Sequence, residues 1–481
     1  MPRLLLLALA AVAAGCATVQ PQDAFADVEG TLADRTAARV VWATDAAEDA
    51  AAREAVAALL ADSLTADAAV QVALLNNPRL QATYEDLGVA QADLVQAGLF
   101  SNPVFGGRSL WPFEGGAPEL GVNVALEFLD VFAIPLRRRV ARSAYAAAQY
   151  RVAAAVLDLS ARTRAAYIDT QADAARLAAR RAVAANARAG YTAQRLLREA
   201  GNVPSVNVLA EQSLYEQARL DAVMAEGAAA ESRLALARLL GVTATDLQMA
   251  GTLPPVPEAA GPYVRGVQGE GPLEVVVVVG AIERRAVEAS LALQAARADI
   301  EAAAHAAGLA DLEGLVPEIE IGGEAERDDG EWKAGPEVGL VLPLFDQGQA
   351  RGAAARSAVR RARALYTATA VDVRIAARTL AQRLATARRA ALHYQRTVLP
   401  LRAELAAQTV RQYNAMQTGV FGVLEAQRRE AEAVRMYFDA LAAYWTTRSD
   451  LDLLLAGGLP DLGGDPLRAG ASPSASRDAD H

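Results

Sequence analysis

Few side chains in this chain of 481 residues have the chemistry of a catalytic or metal-binding group, and they do not cluster. Cys16 is the one cysteine, so no intrachain disulfide is possible. The three histidines, His305, His393 and His481, are far apart, and no Cys/His ligand set can form locally. There is no phosphate-binding loop, dinucleotide-binding glycine motif, zinc-protease motif or serine-hydrolase elbow. The residue types therefore predict that the protein is not an enzyme and has no metal site or cofactor.

The lone cysteine lies where bacterial lipoproteins carry their lipid. Arg3 precedes an apolar run, Leu4 to Ala14, which is too short to span a bilayer and is typical of a signal-peptide core. The run ends in Ala13-Ala14-Gly15-Cys16, and a lipoprotein signal peptidase requires small residues before the cysteine. An ordinary signal peptide with an incidental cysteine is the alternative. Ala17 is not the aspartate that typically retains lipoproteins in the inner membrane, so we expect an acylated Cys16 at the outer membrane.

The composition favours long, closely packed helices. Hydrophobic residues make up 53% of the chain but aromatic residues only 5%, and alanine, the best helix former, is abundant. The formal charge of −10 and the absence of a basic stripe argue against nucleic acid as a partner. After the signal peptide, no run reaches the roughly eighteen apolar residues of a transmembrane helix.

The chain reads as two similar halves. Ala141-Arg142-Ser143-Ala144 recurs as Ala355-Arg356-Ser357-Ala358, and Val208-Leu209 recurs as Val423-Leu424, which suggests a duplication. Each half contains a helix, two strands, a very long helix, a turn and a return helix of about 35 residues. The first helices are predicted near Asp67 to Leu99 and Gly280 to Leu309, and the long ones in proline-free runs between Pro135 and Pro204 and between Pro343 and Pro400. The predicted division is a signal peptide (1–16), an anchor segment (17–66), a first repeat (67–251), a linker (252–272), a second repeat (273–459) and a disordered tail (460–481).

Two segments alternate between apolar and polar residues with a period of two. They are Glu119 to Phe128 and Glu337 to Leu344, and Ile319 and Ile321 alternate with glutamates in the same way. The β-branched run Val275 to Val279 is a further possible strand start. The alternation fits a half-buried strand on a helix, and equally a membrane barrel strand. The four strands of one chain cannot close a barrel. Two chains supply eight strands, whose side chains fill the interior, and three supply twelve strands, which leave an aqueous lumen. A channel therefore requires a trimer or larger.

Three segments in order resemble the TolC-type outer-membrane efflux proteins, within the subset that are lipoproteins. The first is Asn76-Asn77-Pro78-Arg79-Leu80 followed by Ala97 to Pro103, the second is Leu342 to Gly348, and the third is Tyr413 to Arg428. The second half lacks the Asn-x-Pro element near Gly280, and Met416 takes the place of a usual glycine. The end of the chain from Met416 to Leu459 most resembles members linked to heavy-metal or copper resistance.

The resemblance implies a mainly α fold with a membrane β-barrel portion, in which a homotrimer forms a twelve-strand barrel in the outer membrane and a helical tunnel in the periplasm. It implies an exit duct that does no chemistry and works with a periplasmic adapter and an inner-membrane pump. It also implies that the anchor segment is extended and wraps the helices. The adapter would meet two turns, which we expect to need positive φ at Gly201 and Gly419. The residues of these turns are Gly201, Asn202, Val203, Pro204 and Ser205, and Met416, Gln417, Thr418 and Gly419.

Glu425 matches a family position near the tunnel's periplasmic gate. Three-fold symmetry would bring three carboxylates together there, and such a ring favours cations. Gly422 lies where some relatives carry a second acidic residue, so this gate would have one acidic ring. The alternative is a surface glutamate that pairs with Arg428 or Arg429 at helical spacing.

Other features leave alternatives open. Glu324, Glu326, Asp328, Asp329 and Glu331 are expected to form a solvated extracellular loop or a weak cation site. Trp111 and Phe113 are expected either to form an aromatic pair at the rim of the barrel or to pack within their loop. The rival functions are type I protein secretion by the same fold and a periplasmic coiled-coil lipoprotein scaffold.

Overall fold

The computed structural model describes residues 21–111, 118–243, 247–257, 272–315, 318–328, 331–341 and 344–462. The signal peptide with Cys16, and most of the predicted linker and tail, lie outside these residues. The elements in chain order are α1 (Pro21–Leu32), α2 (Ala46–Ala61), α3 (Ala66–Asn76), α4 (Pro78–Gln96), β1 (Val104–Leu110), β2 (Glu119–Glu127), α5 (Asp130–Glu199), α6 (Ser205–Leu240), α7 (Pro272–Ala289), α8 (Leu291–Leu315), β3 (Glu318–Asp328), β4 (Glu331–Val341), α9 (Gln349–His393), a π-helix (Tyr394–Val398), α10 (Leu399–Asn414) and α11 (Val420–Ala456). The predicted mainly helical fold with a small four-stranded sheet is confirmed. None of the helices in the described ranges combines the length and apolar character needed to cross a bilayer.

Two very long helical stretches dominate the molecule. α5 runs for 70 residues, which is about 105 Å at 1.5 Å per residue. The second stretch comprises α9, the π-helix and α10, and it continues past Pro400. It can do so because the preceding π-helix opens the turn, where the Leu399 N–H bonds to the Tyr394 carbonyl five residues back. The return helices α6 and α11 have 36 and 37 residues, as the sequence predicts.

The helix predicted from Asp67 to Leu99 is in fact two helices, because Asn77 and Pro78 interrupt it. Pro78 has no N–H and starts α4, while the Asn77 side chain accepts hydrogen bonds from the next two available N–H groups at 2.9 and 3.2 Å. In the second half the break falls at Ser290, whose hydroxyl accepts the Leu293 N–H at 3.3 Å. The possible strand start at Val275 to Val279 is wrong, since these residues lie in α7.

The long helices pack side by side in one order. α5 packs against α6 on one side and α11 on the other, and α11 packs in turn against α9 and α10. The buried residues form two clusters, one between the N-terminal segment and α3 to α5, the other between α5, α9 and α11. This order leaves α6 at one edge of the layer and α9–α10 at the other.

The expectation that the anchor segment is extended is wrong for most of its described part, because α1 and α2 lie within it. Phe25 of α1 packs edge-on against Trp42 and the fully buried Tyr84, with ring centroids 6.0 and 5.0 Å away. Between the two helices, Arg35 donates hydrogen bonds to the last carbonyls of α7 and α11 at 2.7 and 2.8 Å. The segment therefore contacts both halves of the chain.

The four strands form one antiparallel sheet in the order β1-β2-β3-β4. β2 matches the alternating segment predicted from Glu119, whereas β4 begins at Glu331 and not at Glu337. β3 pairs with β4 along its whole length, from Glu318 to Asp328. The described sheet is therefore longer than the sequence predicts.

The acidic cluster expected in a solvated loop lies mainly on these strands. Glu324 and Glu326 belong to β3 and pair with Gly335 and Lys333 of β4, while Glu331 opens β4. The loop expectation is wrong for these residues because the ladder continues through them, and Asp329 lies outside the described residues. Trp111 directly follows β1 and is exposed, and Phe113 also lies outside the described residues.

Candidate functional site

The first predicted tip, Gly201 to Ser205, joins α5 to α6. Gly201 has φ of +78°, as expected for a residue that ends a helix in the left-handed region. The Asn202 N–H bonds back to the last turn of α5 at 2.9 Å, and the Arg198 guanidinium donates to the Val203 carbonyl at 3.2 Å. A Cβ added to Gly201 would meet no atom within 4 Å, so backbone strain, and not crowding, opposes a side chain there.

The second predicted tip joins α10 to α11 and uses a different residue for its sharp bend. Met416 has φ of +58° and is 94% exposed. Gly419 instead has φ of −81° and ψ of 166°, which any residue adopts. The expected positive φ at Gly419 is therefore wrong, because the left-handed residue comes three positions earlier. The Gln417 N–H closes the turn on the Gln412 carbonyl at 2.8 Å.

Both tips lie at the same end of the helical layer. A Cβ placed on Gly190, near the end of α5, would lie 2.8 Å from Leu424 Cδ1 and 2.9 Å from Glu211 Oε2. The last turns of α5, the first turns of α6 and the first turns of α11 therefore meet at one level. Gly422 lies in the same region, and its N–H bonds to the Gly419 carbonyl at 3.0 Å.

Glu425 is paired within the chain. Its carboxylate accepts hydrogen bonds from Arg428 at 3.2 Å and Arg429 at 2.8 Å, and its side chain is 44% exposed. This is the helical pairing that the sequence left as the alternative. The predicted gate role concerns three chains together and stays a prediction.

A network of ion pairs beyond Glu425 crosses three helices. Arg180 of α5 pairs with Asp221 of α6 at 3.3 Å and with Glu432 of α11 at 3.6 Å. Arg435 binds Glu432 and Asp439, both at 2.6 Å. A cavity of about 390 Å³ opens beside the network, and its walls include Arg180, Asp221 and Glu432.

The network continues along α5. Arg176 joins Asp173 of the same helix to Asp439 of α11, both at 2.6 Å. The hydrogen bond from Arg435 lowers the pKa of Glu432 below its ordinary value, against the opposing effect of partial burial. For Arg176, burial lowers the pKa, but the two carboxylates outweigh it and raise the pKa overall. Sequence reasoning missed the cross-helix pairs, since it considered only partners at helical spacing.

At the other end of α5, Asp130 joins the helix to the segment that leads into the sheet. It is 1% exposed, accepts the Ser101 N–H at 2.7 Å and pairs with Arg137. Burial alone would raise its pKa, but the bonds from Ser101 and Arg137 outweigh burial and lower it. In the described parts of the chain, no three or more metal-ligating side chains come together.

With this geometry in view, the chain has the fold of the outer-membrane efflux channels. It is similar to a membrane protein from Pseudomonas aeruginosa, with 21% identity, a TM-score of 0.66, and coverage of 88% of this chain and 96% of that one. It is similar to the CmeC outer membrane channel of Campylobacter jejuni, with 15% identity, a TM-score of 0.63, and coverage of 83% and 87%. It is also similar to the open state of the MtrE outer membrane channel of Neisseria gonorrhoeae, with 17% identity, a TM-score of 0.59, and coverage of 81% and 88%.

The sequence itself gives a second line of support. The model of the outer membrane efflux protein family matches residues 69–242. No curated protein sequence matches the chain significantly. The resemblance to the outer-membrane efflux proteins that the motifs predicted is therefore confirmed.

Proposed function

We propose that the protein is the exit duct of a tripartite efflux system in the outer membrane of a Gram-negative bacterium. In this proposal it passively conducts solutes that a periplasmic adapter and an inner-membrane pump deliver, and it does no chemistry itself. One observation carries the proposal. A single chain combines a four-stranded sheet that has an apolar face with helices about 100 Å long, in the arrangement of the solved outer membrane channels.

The two open edges of the sheet support a trimer. In the described residues β1 pairs only with β2 and β4 only with β3, so each chain presents one free edge at either side. A sheet in a membrane cannot leave its backbone groups unpaired. Three chains joined edge to edge give twelve strands, enough for a closed barrel with an aqueous lumen.

The helical layer has matching free edges. α6 buries one stripe against α5 and exposes a second apolar stripe on its far side, which includes Val206, Leu209, Leu220, Val223 and Leu234. Their spacings of 3 and 11 residues place them at the a and d positions of successive heptads, as in a coiled-coil seam. At the other edge, α9 and α10 expose Leu365, Ile375, Leu401 and Leu405.

The helices at these two edges differ in charge. The stretch from α9 to α10 contains thirteen arginines and only two acidic residues, whereas α6 contains five acidic residues and three arginines. The apolar stripe and the acidic charge of α6 thus fit the α9–α10 edge of a neighbouring copy. Head-to-tail contacts of this kind close into a ring.

We also propose that Cys16 carries the acyl chains of a lipoprotein. Asp27 of α1 accepts a hydrogen bond from Gln149 of α5 at 2.8 Å. Gln149 lies about 28 Å along α5 from Asp130, the end nearest the sheet. From Cys16 to Pro21 a chain spans at most about 17 Å, and from Pro21 to Asp27 the helix adds about 9 Å. This upper limit of about 26 Å is close to the 28 Å, which supports an acylated Cys16 near the sheet end of α5.

We further propose that the two tips bind the adapter and that Glu425 forms the gate ring. The tips support this because they end the long helices at one level, far from the sheet, and most of their residues are exposed, Met416 above all. Glu425 lies within two turns of the start of α11, close to the second tip. Its two arginine partners would then set how much negative charge the ring retains.

A deletion strain tests the duct proposal and separates it from protein secretion. Loss of the gene is expected to increase sensitivity to exported metals or antibiotics and to leave the secreted proteins unchanged. Normal tolerance to both with a missing secreted protein would instead support type I secretion. Membrane fractionation separates the duct from the coiled-coil scaffold, because the duct is expected as a heat-modifiable trimer in the outer membrane, and a soluble monomer would contradict the proposal.

One pair of variants tests the edge-to-edge contact. Leu220 on the free stripe of α6 and Leu196 on α5 are both 55% exposed. Leu220→Arg is expected to reduce the trimer band on a gel, whereas Leu196→Arg serves as the control. Equal trimer yields from both variants would show that the α6 stripe is not the interface.

A further inference from the structure

The register of the sheet gathers apolar side chains on one face. Successive residues of a strand point to opposite faces, and directly paired residues share a face. On the two central strands this apolar face carries Leu120, Val122, Val124, Leu126, Ile319 and Ile321. In a barrel that spans a membrane, such a face meets the lipid and is the outer one. This orientation rests on the proposed function.

The apolar face of the sheet continues onto the start of α5. Phe128 follows Leu126 by two residues, and its N–H bonds to the Ile319 carbonyl at 2.9 Å, so it extends β2 on the same face. Its ring packs edge-on against Phe132 of α5, with ring centroids 6.0 Å apart. Phe132 therefore lies on the outer side of the molecule, next to the lipid-facing side of the sheet.

The outer face of α5 changes from apolar to basic within three turns. At 100° per residue, six exposed residues fall within about 120° around the helix axis. They are Val131, Phe132 and Pro135, and then Arg138, Arg139 and Arg142. α5 packs against both α4 and α8, so this face does not lie at an edge of the helical layer. A neighbouring copy that joins at the edges leaves it open.

Arg137 shows which side of the layer is the inner one. It lies about 160° around α5 from the middle of the outer face. Its side chain lines a cavity of about 240 Å³ together with Glu127 and Glu320, which are paired on the polar face of the sheet. Arg351 of α9 lines the same cavity. The inner side of the layer is thus marked on both long helices.

α9 adds further arginines to the outer side. The residues 5, 9 and 12 positions after Arg351 fall about 120–180° around the helix from it. They are Arg356, Arg360 and Arg363, and all three are exposed. Arg356 pairs with Asp311 of α8 at 3.4 Å, and Arg360 donates to the Ser357 hydroxyl at 2.8 Å.

The three outer arginines of α5 differ from the other arginines of that helix in having no carboxylate partner. Within the described ranges, Arg138, Arg139 and Arg142 form no ion pair. The next six arginines along α5 all pair with aspartate or glutamate, and they are Arg151, Arg162, Arg164, Arg176, Arg180 and Arg181. The charge near the sheet is therefore available to an anion from outside the chain.

The position of these arginines fits the headgroup layer of a bilayer. Arg138 follows Asp130 by eight residues, which is about 12 Å along α5. Helical side chains tilt toward the N-terminus, here toward the sheet, and a Cβ added to Gly98, after α4, would lie 3.3 Å from Arg138 Cδ. The headgroups add roughly 5–8 Å on each side of the hydrocarbon, and long arginine side chains extend toward that layer.

We infer that the outer arginines of α5 and α9 bind the phosphate groups of anionic phospholipids in the leaflet on the helical side of the sheet. A guanidinium group forms two parallel hydrogen bonds to a phosphate, and several arginines close to a membrane attract anionic lipid. The exposed Phe132 packs in the adjoining apolar layer, as aromatic residues do at membrane interfaces. Three copies would surround the barrel with a basic collar, formed by the six arginines of each chain.

Spin-labelled lipids test the inference on the reconstituted trimer. The protein is placed in phosphatidylcholine vesicles with a trace of spin-labelled phosphatidylglycerol or, separately, spin-labelled phosphatidylcholine. The motionally restricted fraction of each label gives the relative association constant of the two lipids with the protein surface. The wild type is expected to prefer phosphatidylglycerol about twofold or more at 0.1 M salt, and less at 1 M salt.

A pair of triple variants locates the preference. Arg138→Gln, Arg139→Gln and Arg142→Gln together are expected to remove at least about half of it, since the arginines of α9 remain. The control is Arg181→Gln, Arg188→Gln and Arg195→Gln, which removes three exposed arginines from the same helix, about 75–100 Å from Asp130. The control is expected to keep the wild-type preference.

The outcomes separate the inference from the duct proposal. A wild-type trimer that restricts both lipids equally would overturn the inference, even if the variant does not fold, and would leave the arginines to an acidic protein surface. An unchanged preference in the first variant would overturn it too, as would an equal loss in both variants. In these cases the protein is still in the bilayer and the duct proposal stands. A wild-type protein that restricts neither lipid would contradict the duct proposal itself.

Discussion

Gly190 of α5 lies where this helix contacts both α6 and α11, beside the segment that carries Glu425. A Cβ at this position would lie 2.8 Å from Leu424 Cδ1 and 2.9 Å from Glu211 Oε2. Non-bonded carbon atoms prefer about 3.5–4.0 Å. Both contacts are with the far ends of half-buried side chains, so Glu211 and Leu424 have to turn aside when Gly190 gains a Cβ.

The expected magnitude follows from two opposing effects. Replacing glycine by alanine inside a helix normally stabilises it by about 0.5–1 kcal/mol, whereas overpacking costs about 1–3 kcal/mol. Gly190→Ala should therefore be neutral or destabilising by up to about 2 kcal/mol. Gly308 of α8 is the matched control, because an added Cβ there meets nothing within 4 Å, and Gly308→Ala should stabilise.

The assay compares the apparent melting temperature of the two variant trimers at one scan rate, since such assemblies unfold irreversibly. Gly190→Val should be less stable than Gly190→Ala, because its two additional methyl groups crowd the same two side chains. If both alanine variants raise the melting temperature equally, Gly190 is not a close contact in the trimer and the reasoning is refuted.

Four further outcomes are expected. Cys16→Ser should abolish incorporation of labelled fatty acid while the protein still reaches the outer membrane, and a wild-type protein that incorporates no label would contradict the lipoprotein assignment. Met416→Gly should stabilise the second tip by about 0.5–1 kcal/mol by removing left-handed strain, measured as a higher melting temperature, and an unchanged or lower value would show that the strain is absent. Gly201→Val should destabilise the folded protein by about 1–2 kcal/mol and abolish efflux while the trimer persists. Normal export would contradict the docking proposal. Glu425→Gln should lower cation selectivity and weaken block by multivalent cations from the periplasmic side, whereas the control Glu430→Gln on the same helix should not; if the two variants behave alike, Glu425 is only a surface charge.

Local sequence signals were sufficient for the long elements of this fold. The proline-free runs predict the long helices, and alternation predicts β2. Both signals work because residues close in sequence decide whether a helix continues and which face of a strand is apolar. The turn glycine Gly201 was predicted correctly for the same reason, since a left-handed residue after a helix is a local requirement. At the second turn the same rule pointed to Gly419, although Met416 takes that conformation.

Features that depend on packing could not be predicted in this way. The pair between Arg176 and Asp439 joins residues far apart in sequence, and it forms only because α5 and α11 meet in a particular rotational phase. The start of β4 at Glu331 depends on the ladder with β3, since strong pairing extends a strand through acidic residues that favour a loop. Within one chain Glu425 is paired with two arginines, whereas its proposed role as a gate requires three copies of the chain.

The π-helix before Pro400 affects which length changes the second long helix can accommodate. A π turn is equivalent to one residue inserted into an α-helix, and each inserted residue rotates everything beyond it by about 100°. Deleting one residue from Tyr394–Val398 would convert the wide turn to a regular one and keep the facing of the helix beyond it, but the ring of Pro400 would then clash with the preceding turn. The same deletion in the middle of α5 would turn half of that helix away from its partners. Loss of one residue should therefore be tolerated at this position only when Pro400 is replaced as well, and not in α5, which makes the π-helix and Pro400 a linked pair that sets the length of the second long helix.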